Sequence, residues 1–375
     1  MDEPIRRQRV VPAPGASFTA AMIMNSSTET LATIPSGRGG ARSKAPVFVL
    51  GCGRSGTKLL YHTLLSAGGF ALYHAESNAF NLIGLRFGSL ARRGNRRDLL
   101  DYWLRSKLFY RSGLTREEIE PRILEECRNA GDFLRILMET IARKQGVERW
   151  AECTPLHLLY LPLIKRLFPD ALIIHIVRDG RDVAVSLDRI GWIKPFSWDR
   201  NRRVLAPALF WKWIVGKGRR YGSRMGADYL EVHYEDVVEK PRESLSRIGA
   251  FIDHDLDYDR IQQNAQGSMV DPNSSFRGDG QEKESNPVER WKTVLSADEV
   301  EKMESLIGDQ LQEMGYLPVT PAEKKHRSFA VSLMGFLYPI YFDVKLWLKT
   351  YTPLASVASI GRMGVSDSPN NEINS

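Results

Sequence analysis

Short apolar runs alternate with helical patterns through the central part of the chain. The run 47–50 enters a glycine-rich turn, after which Leu59, Leu60 and Leu64 fall at helical spacing, so strand, loop and helix are predicted in that order. The run 171–177 is apolar almost throughout, as expected of a strand buried on both faces of a parallel sheet. Further strands are predicted at 70–73, 149–152 and 229–233, and helices at 132–144, 156–168, 204–221 and 241–251. This alternation indicates an α/β fold around a mostly parallel, doubly wound sheet.

Further helices are predicted from the residues that begin or end them. Thr115 precedes two glutamates, and acidic side chains are favourable in the first turn of a helix. Ser296 precedes Glu299 by three residues, which is the spacing of a capping box, and the helix that it opens is predicted to end at Gly315. Another helix is predicted from about residue 181.

The two ends of the chain differ from this central pattern. Residues 1–44 are rich in Ser, Thr, Gly, Pro and Ala without sustained periodicity, and are predicted to be disordered because they cannot bury enough apolar surface to offset chain entropy. No signal peptide is predicted, since prolines interrupt this stretch. We expect a folded domain at 45–320 and a basic, aromatic helical extension with a tail at 321–375. The apolar stretch 329–342 contains Pro339 and is predicted to be too short to span a membrane.

Composition and charge exclude little and favour an ordinary globular domain. The hydrophobic fraction is 43% and the charged fraction 26%, both near globular averages. A net charge of +7 is too diffuse for a nucleic-acid partner to be expected. The three cysteines, Cys52, Cys127 and Cys153, show no C-x-x-C spacing, so neither a zinc site nor a disulfide framework is expected. We therefore expect a reducing, cytoplasmic setting and no metal.

The glycine-rich loop 51–58, with the sequence GCGRSGTK, has the properties of an anion site. It follows a predicted strand and opens a predicted helix, so backbone N–H groups and the helix N-terminus can face a bound anion. Arg54 and Lys58 add full positive charges.

Three ligands are compatible with this loop taken alone. A Walker A loop needs Gly-Lys-Ser/Thr, whereas here Gly56 is followed by Thr57 and then Lys58. A dinucleotide fingerprint is matched by the glycine spacing, and Glu76 lies about twenty residues on, where a ribose-binding acid is expected. The third alternative is a 5′-phosphosulfate loop, which requires a basic residue, Ser-Gly and a hydroxyl at the helix start. A glycine turn without any ligand is the remaining alternative.

A second motif follows the most apolar predicted strand. Residues 176–186 read IVRDGRDVAVS, which places Arg178 at the carboxyl end of the strand, where ligands bind in open α/β sheets. Ser186 lies eight residues later, in the first turns of the next predicted helix, and could reach the same phosphate. Neither a Walker nor a dinucleotide-binding protein requires this pair.

At these two motifs the chain resembles the sulfotransferases that use 3′-phosphoadenosine 5′-phosphosulfate (PAPS). The resemblance covers roughly residues 46–318 and includes the YED sequence at 234–236 and the RWK sequence at 290–292. It implies a P-loop-like three-layer domain that transfers a sulfuryl group from PAPS to an acceptor hydroxyl by in-line displacement and releases 3′,5′-ADP. The acceptor could be a tyrosine, a carbohydrate or a lipid.

The resemblance also implies roles for individual residues. Five residues of the first loop would hold the 5′-phosphosulfate, and these are Arg54, Ser55, Gly56, Thr57 and Lys58. Arg178 and Ser186 would hold the 3′-phosphate, and Tyr234 would contact the nucleotide. Arg277 and Lys292 are further candidates for the 3′-phosphate side. Arg54 and Lys58 would stabilise charge on the leaving oxygen.

The general base must lie beside the acceptor hydroxyl. Glu76 is similar in position to the catalytic glutamate of tyrosylprotein sulfotransferases and their bacterial relatives, and burial could tune its carboxylate for this task. His74 and His157 are the rival candidates. Cys153 departs from the family pattern, since many relatives carry lysine there. Two outcomes are open: Lys58 replaces that missing cation, or the activity is lower.

Other functions remain open at the sequence level. The alternatives are a P-loop kinase, for which Asp179 is the best magnesium ligand, and a catalytically degenerate protein that binds nucleotides or docks on membranes. The basic and aromatic segment 324–350 is compatible with a peripheral membrane contact, with packing on the domain or with a homodimer contact.

Overall fold

Four parallel strands form the sheet in the part of the chain that the structure, a computed structural model, describes: residues 42–197, 199, 203–268, 288–321 and 328–352. The strands are β1 (Val47–Gly51), β2 (Ala151–Glu152), β3 (Leu172–Val177) and β4 (Tyr229–His233), in the order β2-β1-β3-β4. Each neighbouring pair is parallel. The predicted α/β class and parallel sheet are therefore confirmed.

Fifteen α-helices surround this sheet within the described ranges. They are α1 (Thr57–Ser66), α2 (Gly84–Arg86), α3 (Arg93–Trp103), α4 (Lys107–Ser112), α5 (Arg116–Glu126), α6 (Ala130–Gln145), α7 (Leu161–Leu167), α8 (Gly180–Ile190), α9 (Leu205–Gly222), α10 (Tyr234–Glu239), α11 (Pro241–Ile252), α12 (Tyr258–Ser268), α13 (Trp291–Val294), α14 (Ala297–Glu313) and α15 (Phe329–Tyr351). A π-turn spans Ala79–Ile83, and 3-10 turns span Arg42–Lys44, Pro155–Tyr160 and Gly226–Asp228. The capping boxes at Thr115 and Ser296 form as the sequence predicts.

Both faces of the sheet are covered, which explains the apolar run in β3. All six residues of β3 are buried. On one face Val49 and Ile174 belong to the same apolar cluster as residues of α1 and α11. On the other face the ring of Phe48 packs edge-on against Trp150, with 5.7 Å between ring centroids. The result is the three-layer arrangement that the resemblance implied.

The predicted strand at 70–73 is reduced to a single bridge between Phe70 and Arg149. The reason is that Leu72 bonds to a side chain in place of a strand: its N–H donates to Gln145 Oε1 at 2.7 Å, and its carbonyl accepts from Gln145 Nε2 at 3.1 Å. The predicted helix at 156–168 is likewise divided into a 3-10 turn and α7.

The predicted disordered segment 1–44 falls mostly outside the described residues, which begin at Arg42. The last three residues of that segment form a 3-10 turn. The Arg42 side chain donates to the carbonyls of Phe251 at 2.9 Å and Ala227 at 2.7 Å. These bonds attach the turn to the domain.

The C-terminal helix α15 corrects the expectation for the apolar stretch 329–342. The helix continues through Pro339 to Tyr351, and its 23 residues are long and apolar enough to cross a membrane by length and composition alone. Only 22% of its most apolar window is buried. The buried side of α15 packs on α9, with Phe342 against Phe210 at 5.4 Å between ring centroids.

Candidate active site

The loop between β1 and α1 is shaped by two left-handed residues. Arg54 has a φ of 74° and Gly56 a φ of 93°, and α1 begins at Thr57 immediately after them. At Gly56 a side chain is excluded in any case, because a Cβ there would overlap the ring of Tyr234. Gly56 provides no side-chain cap, so the first N–H groups of α1 remain available to an anion.

The second motif lies at the carboxyl end of β3, the neighbour of β1. Arg178 follows the strand directly, and Asp179 caps α8 by accepting from the N–H of Arg181 at 2.8 Å. Ser186 lies within α8. Because parallel strands β1 and β3 are adjacent, their carboxyl ends bring both motifs to the same edge of the sheet.

The two motifs are in direct contact. Arg54 Nε donates to Ser186 Oγ at 3.0 Å, and Arg178 Nη1 donates to the carbonyl oxygen of Arg54 at 3.1 Å. The guanidinium of Arg178 also lies 4.6 Å from the centroid of the Tyr234 ring, a cation–π contact. Tyr234 in turn packs against Gly56. Five of the residues predicted to bind nucleotide therefore form one connected site.

The site has an excess of positive charge. Burial lowers the pKa of Arg54, and the nearby guanidinium groups of Arg178 and Arg189 lower it further. Asp182 offsets part of this charge, with an oxygen 3.8 Å from Arg178. Burial raises the pKa of Asp182 to about 6, against the opposing effect of Arg178. An arrangement of mutually repelling cations is stabilised by a multiply charged anion.

Ser55 provides an independent indication of a ligand. Its side chain is fully buried, and among the described residues its hydroxyl has no hydrogen-bond partner. Buried polar atoms are seldom left unpaired. A hydroxyl in the middle of the loop is placed to bond an anion that the loop encloses.

The remaining nucleotide-site candidates are less closely connected. Lys292 is half exposed and forms an ion pair with Glu289 at 2.6 Å. Its segment is nevertheless held beside Arg178, because Asp182 accepts from the backbone N–H groups of Glu289 at 3.0 Å and Trp291 at 2.9 Å. Arg277 lies outside the described residues.

Glu76 is partly buried and lies close to Lys58. Burial raises the pKa of Glu76; Lys58 opposes this rise, and Glu152 adds to it. Cys153 is buried near the same pair, and burial raises the pKa of its thiol far above the usual range. Cys153 itself carries no positive charge to this place. The positive charge of Lys58 acts on the Glu76 carboxylate.

The two histidine rivals have different environments. His157 is fully buried with both ring nitrogens occupied: Nδ1 bonds to Glu152 Oε2 at 3.0 Å, and Nε2 accepts from the N–H of Phe80 at 3.2 Å. It cannot also accept a proton from a substrate. His74 is exposed, with its ring 5.5 Å from that of His62.

The sequence did not identify Glu152, Ser77 or Thr154, which form a buried network beside Glu76. The one available signal was an acidic residue inside a short apolar strand, where an isolated charge would be costly. The sequence also did not identify Trp192. Its exposed ring lies so close to Gly53 that a Cβ added to this glycine would be 3.3 Å from it.

Comparisons with known proteins identify a family and similar proteins. The model of the sulfotransferase family matches residues 46–259. Two curated relatives are each named "Putative protein-tyrosine sulfotransferase". The one from Caenorhabditis elegans is 26% identical over 156 residues, 40% of this chain and 60% of the relative. The one from Caenorhabditis briggsae is 25% identical over 191 residues, 49% of this chain and 67% of the relative.

Among solved structures, the sulfotransferase domain from the Synechococcus PCC 7002 olefin synthase is 18% identical with a TM-score of 0.42, over 67% of this chain and 89% of that domain. The family model covers more than half of the sequence and includes both motifs, Glu76 and Tyr234. The chain belongs to the sulfotransferase family.

Proposed function

We propose that this protein transfers a sulfuryl group from PAPS to an acceptor hydroxyl and releases 3′,5′-ADP. The observation that carries the proposal is the bond between Arg54 and Ser186, at 3.0 Å, which joins the two anion-binding motifs into one site. PAPS has an anionic group at each end of its ribose, so it requires two neighbouring anion sites rather than one.

The residues of the site match these two ends. The loop from Arg54 to Lys58 would hold the 5′-phosphosulfate, with the buried hydroxyl of Ser55 and the N-terminus of α1 as donors. Arg178 and Ser186 would hold the 3′-phosphate. The Tyr234 ring lies between Gly56 and Arg178, and it would contact the part of the nucleotide that joins the two anionic groups.

The chemistry then requires a base and a stabilised leaving group. A new S–O bond forms to the acceptor oxygen while the bond from sulfur to the phosphate oxygen breaks. Glu76 would take the acceptor proton, since its raised pKa makes it a stronger base than an ordinary carboxylate. Arg54 and Lys58 would stabilise the charge that develops on the leaving phosphate oxygen.

The kinase alternative needs a carboxylate that can bind magnesium. Asp179 was the candidate, but both of its oxygens are bonded to Arg181, Oδ1 to Nε at 3.0 Å and Oδ2 to Nη2 at 2.7 Å. It is also buried. This arrangement favours a structural role for Asp179 and the sulfotransferase alternative for the site.

Calorimetric titration with three nucleotides tests the donor. We expect 3′,5′-ADP to bind at least about tenfold more tightly than 5′-AMP, since one charge-assisted phosphate contact contributes 1.5 kcal/mol or more. ATP should bind no better than 5′-AMP. Preference for ATP would support the kinase alternative, and binding of none of the three would contradict the proposal.

Once the donor is established, a transfer assay with labelled PAPS would identify the acceptor. The hydroxyls to compare are those of peptide tyrosine, carbohydrates and lipids. Peptide tyrosine is our first choice, because the curated relatives are named as protein-tyrosine sulfotransferases.

A partner surface is proposed on α15. One stripe of the helix is apolar and exposed, and its members are Phe329, Leu333, Phe336, Trp347 and Tyr351. The opposite side, with Val331, Met334 and Tyr338, is buried on the domain. We propose that the stripe lies on an anionic lipid surface, because aromatic residues favour the membrane interface and the sequence just before the helix contains Lys324, Lys325 and Arg327.

Vesicle binding tests this surface. The full chain should cosediment with vesicles containing phosphatidylserine, less so at high salt, and Phe336→Glu should weaken binding several-fold by placing a charge in the apolar stripe. Val294→Glu, at another exposed apolar site, is the matched control and should bind normally. A concentration-dependent dimer that Phe336→Glu dissociates, without vesicle binding, would assign the stripe to a second copy of the chain.

A further inference from the structure

Glu152 is a buried carboxylate that accepts hydrogen bonds from Ser77, Thr154 and His157. It lies at the end of β2 with 2% of its surface exposed. Its oxygens accept from Ser77 Oγ at 2.7 Å, Thr154 N at 3.0 Å, His157 Nδ1 at 3.0 Å and the hydroxyl of Thr154. Burial alone would raise the pKa of Glu152, but the bonds from His157, Thr154 and Ser77 outweigh it and lower the pKa to about 2.

The same donors hold the backbone that follows Glu76. Because the Ser77 and Thr154 hydroxyls direct their protons at Glu152, their lone pairs accept from the N–H groups of Ala79 at 3.4 Å and Asn78 at 3.2 Å. His157 does likewise: its Nδ1 proton points at Glu152, and its Nε2 accepts from Phe80. Three successive backbone N–H groups are thus held by side chains that all point at one carboxylate.

This arrangement fixes the conformation of the segment 76–80. Asn78 is held in the left-handed region with a φ of 52°, and its side-chain Nδ2 donates to the carbonyl of Glu76 at 3.2 Å. A π-turn then begins at Ala79. Such turns and strained residues require support from neighbouring groups, and here that support comes from the network around Glu152.

Four groups act electrostatically near the Glu76 carboxylate. Lys58 and His157 favour its ionised form, Glu152 opposes it, and the Cys153 thiol lies nearby. Two carboxylates in one site with such different surroundings take different roles: the hydrogen-bonded one stays ionised, and the less satisfied one is the better proton acceptor.

We propose that Glu152 is a positioning residue, which gathers the donors Ser77, Thr154 and His157 and through them holds the segment that carries Glu76. The inference rests on the proposed function, in which Glu76 accepts the proton of the acceptor hydroxyl. It assigns Glu152 no contact with either substrate.

The effect of Glu152 on the surroundings of Glu76 is measured without turnover. The side-chain carboxyl ¹³C signal of Glu76, assigned by its loss in Glu76→Gln, is titrated with pH in the wild type and in Glu152→Gln. We expect the midpoint to lie above that of an ordinary glutamate in the wild type and to fall in the variant, while the Kd for 3′,5′-ADP stays within about twofold. An unchanged midpoint in a folded variant would overturn the inference. Failure of 3′,5′-ADP to bind the wild type would contradict the proposed function but leave this comparison valid.

The positioning effect is tested with a milder substitution that keeps both carboxylates. Ser77→Ala removes one donor to Glu152 and one acceptor for Ala79, and should lower kcat roughly 10-fold through misplacement of the base, with little change in the Glu76 midpoint. Thr63→Val is the matched control, since the Thr63 hydroxyl is buried and bonds within α1 to Leu59 at 2.9 Å. Equal kcat in the two variants would refute a positioning role, and this comparison holds even if Glu152→Gln does not fold.

Discussion

Replacing Arg178 with alanine is expected to weaken binding of 3′,5′-ADP by about 10- to 100-fold, the value of a charge-assisted bond of 1.5–3 kcal/mol. Arg178 lies at the carboxyl end of β3, supports Arg54 through its carbonyl oxygen and stacks on Tyr234. Its loss would therefore remove a direct phosphate contact and loosen the first loop as well. Isothermal titration calorimetry on the wild type and the variant measures the effect.

Two matched variants separate direct contact from general charge. Arg178→Lys keeps the charge but loses the planar fork that binds phosphate through two N–H groups, so it should recover only part of the affinity. Arg189→Ala removes an exposed cation near Arg54 and should change the affinity less than about threefold, since exposed charges are screened by salt. If Arg189→Ala were as damaging as Arg178→Ala, the 3′-phosphate would not be bound by Arg178 specifically.

The sequence predicted those parts of the fold that depend on local pattern. The apolar run of β3 and the glycine-rich turn after β1 were enough to predict both strands and the helices that follow them. It could not give the order of the strands, and so could not show that β1 and β3 are neighbours. The contact between Arg54 and Ser186 depends on that adjacency and on the left-handed φ of Arg54, for which a non-glycine residue gives no local signal.

Long-range contacts explain the other differences. The bonds from Gln145 to Leu72 replace a predicted strand, and the network of Glu152 joins segments about 75 residues apart, as the Ser77 bond shows. Neither partner of such a pair is exceptional in its own stretch of sequence. The helix α15 passes through Pro339 and beyond the apolar stretch 329–342, because packing on α9 compensates for weak local propensity.

Replacing Glu76 with glutamine is expected to lower kcat by about 10²- to 10³-fold, within the range that general-base catalysis contributes. Glutamine keeps the size of the side chain but cannot take a proton. The donor site should be unaffected, so the Kd for 3′,5′-ADP should stay within about twofold of the wild type. Steady-state transfer from labelled PAPS to the acceptor, with calorimetry alongside, measures both quantities.

The pH dependence of this variant identifies the base. A base acts in its ionised form, so kcat/KM of the wild type should rise with pH through the pKa of Glu76, which burial and Glu152 hold above the ordinary value. This acid limb should disappear in Glu76→Gln and persist in His74→Asn, which keeps Glu76 and should retain activity within about threefold. If the acid limb persisted in Glu76→Gln and disappeared in His74→Asn, His74 would be the general base.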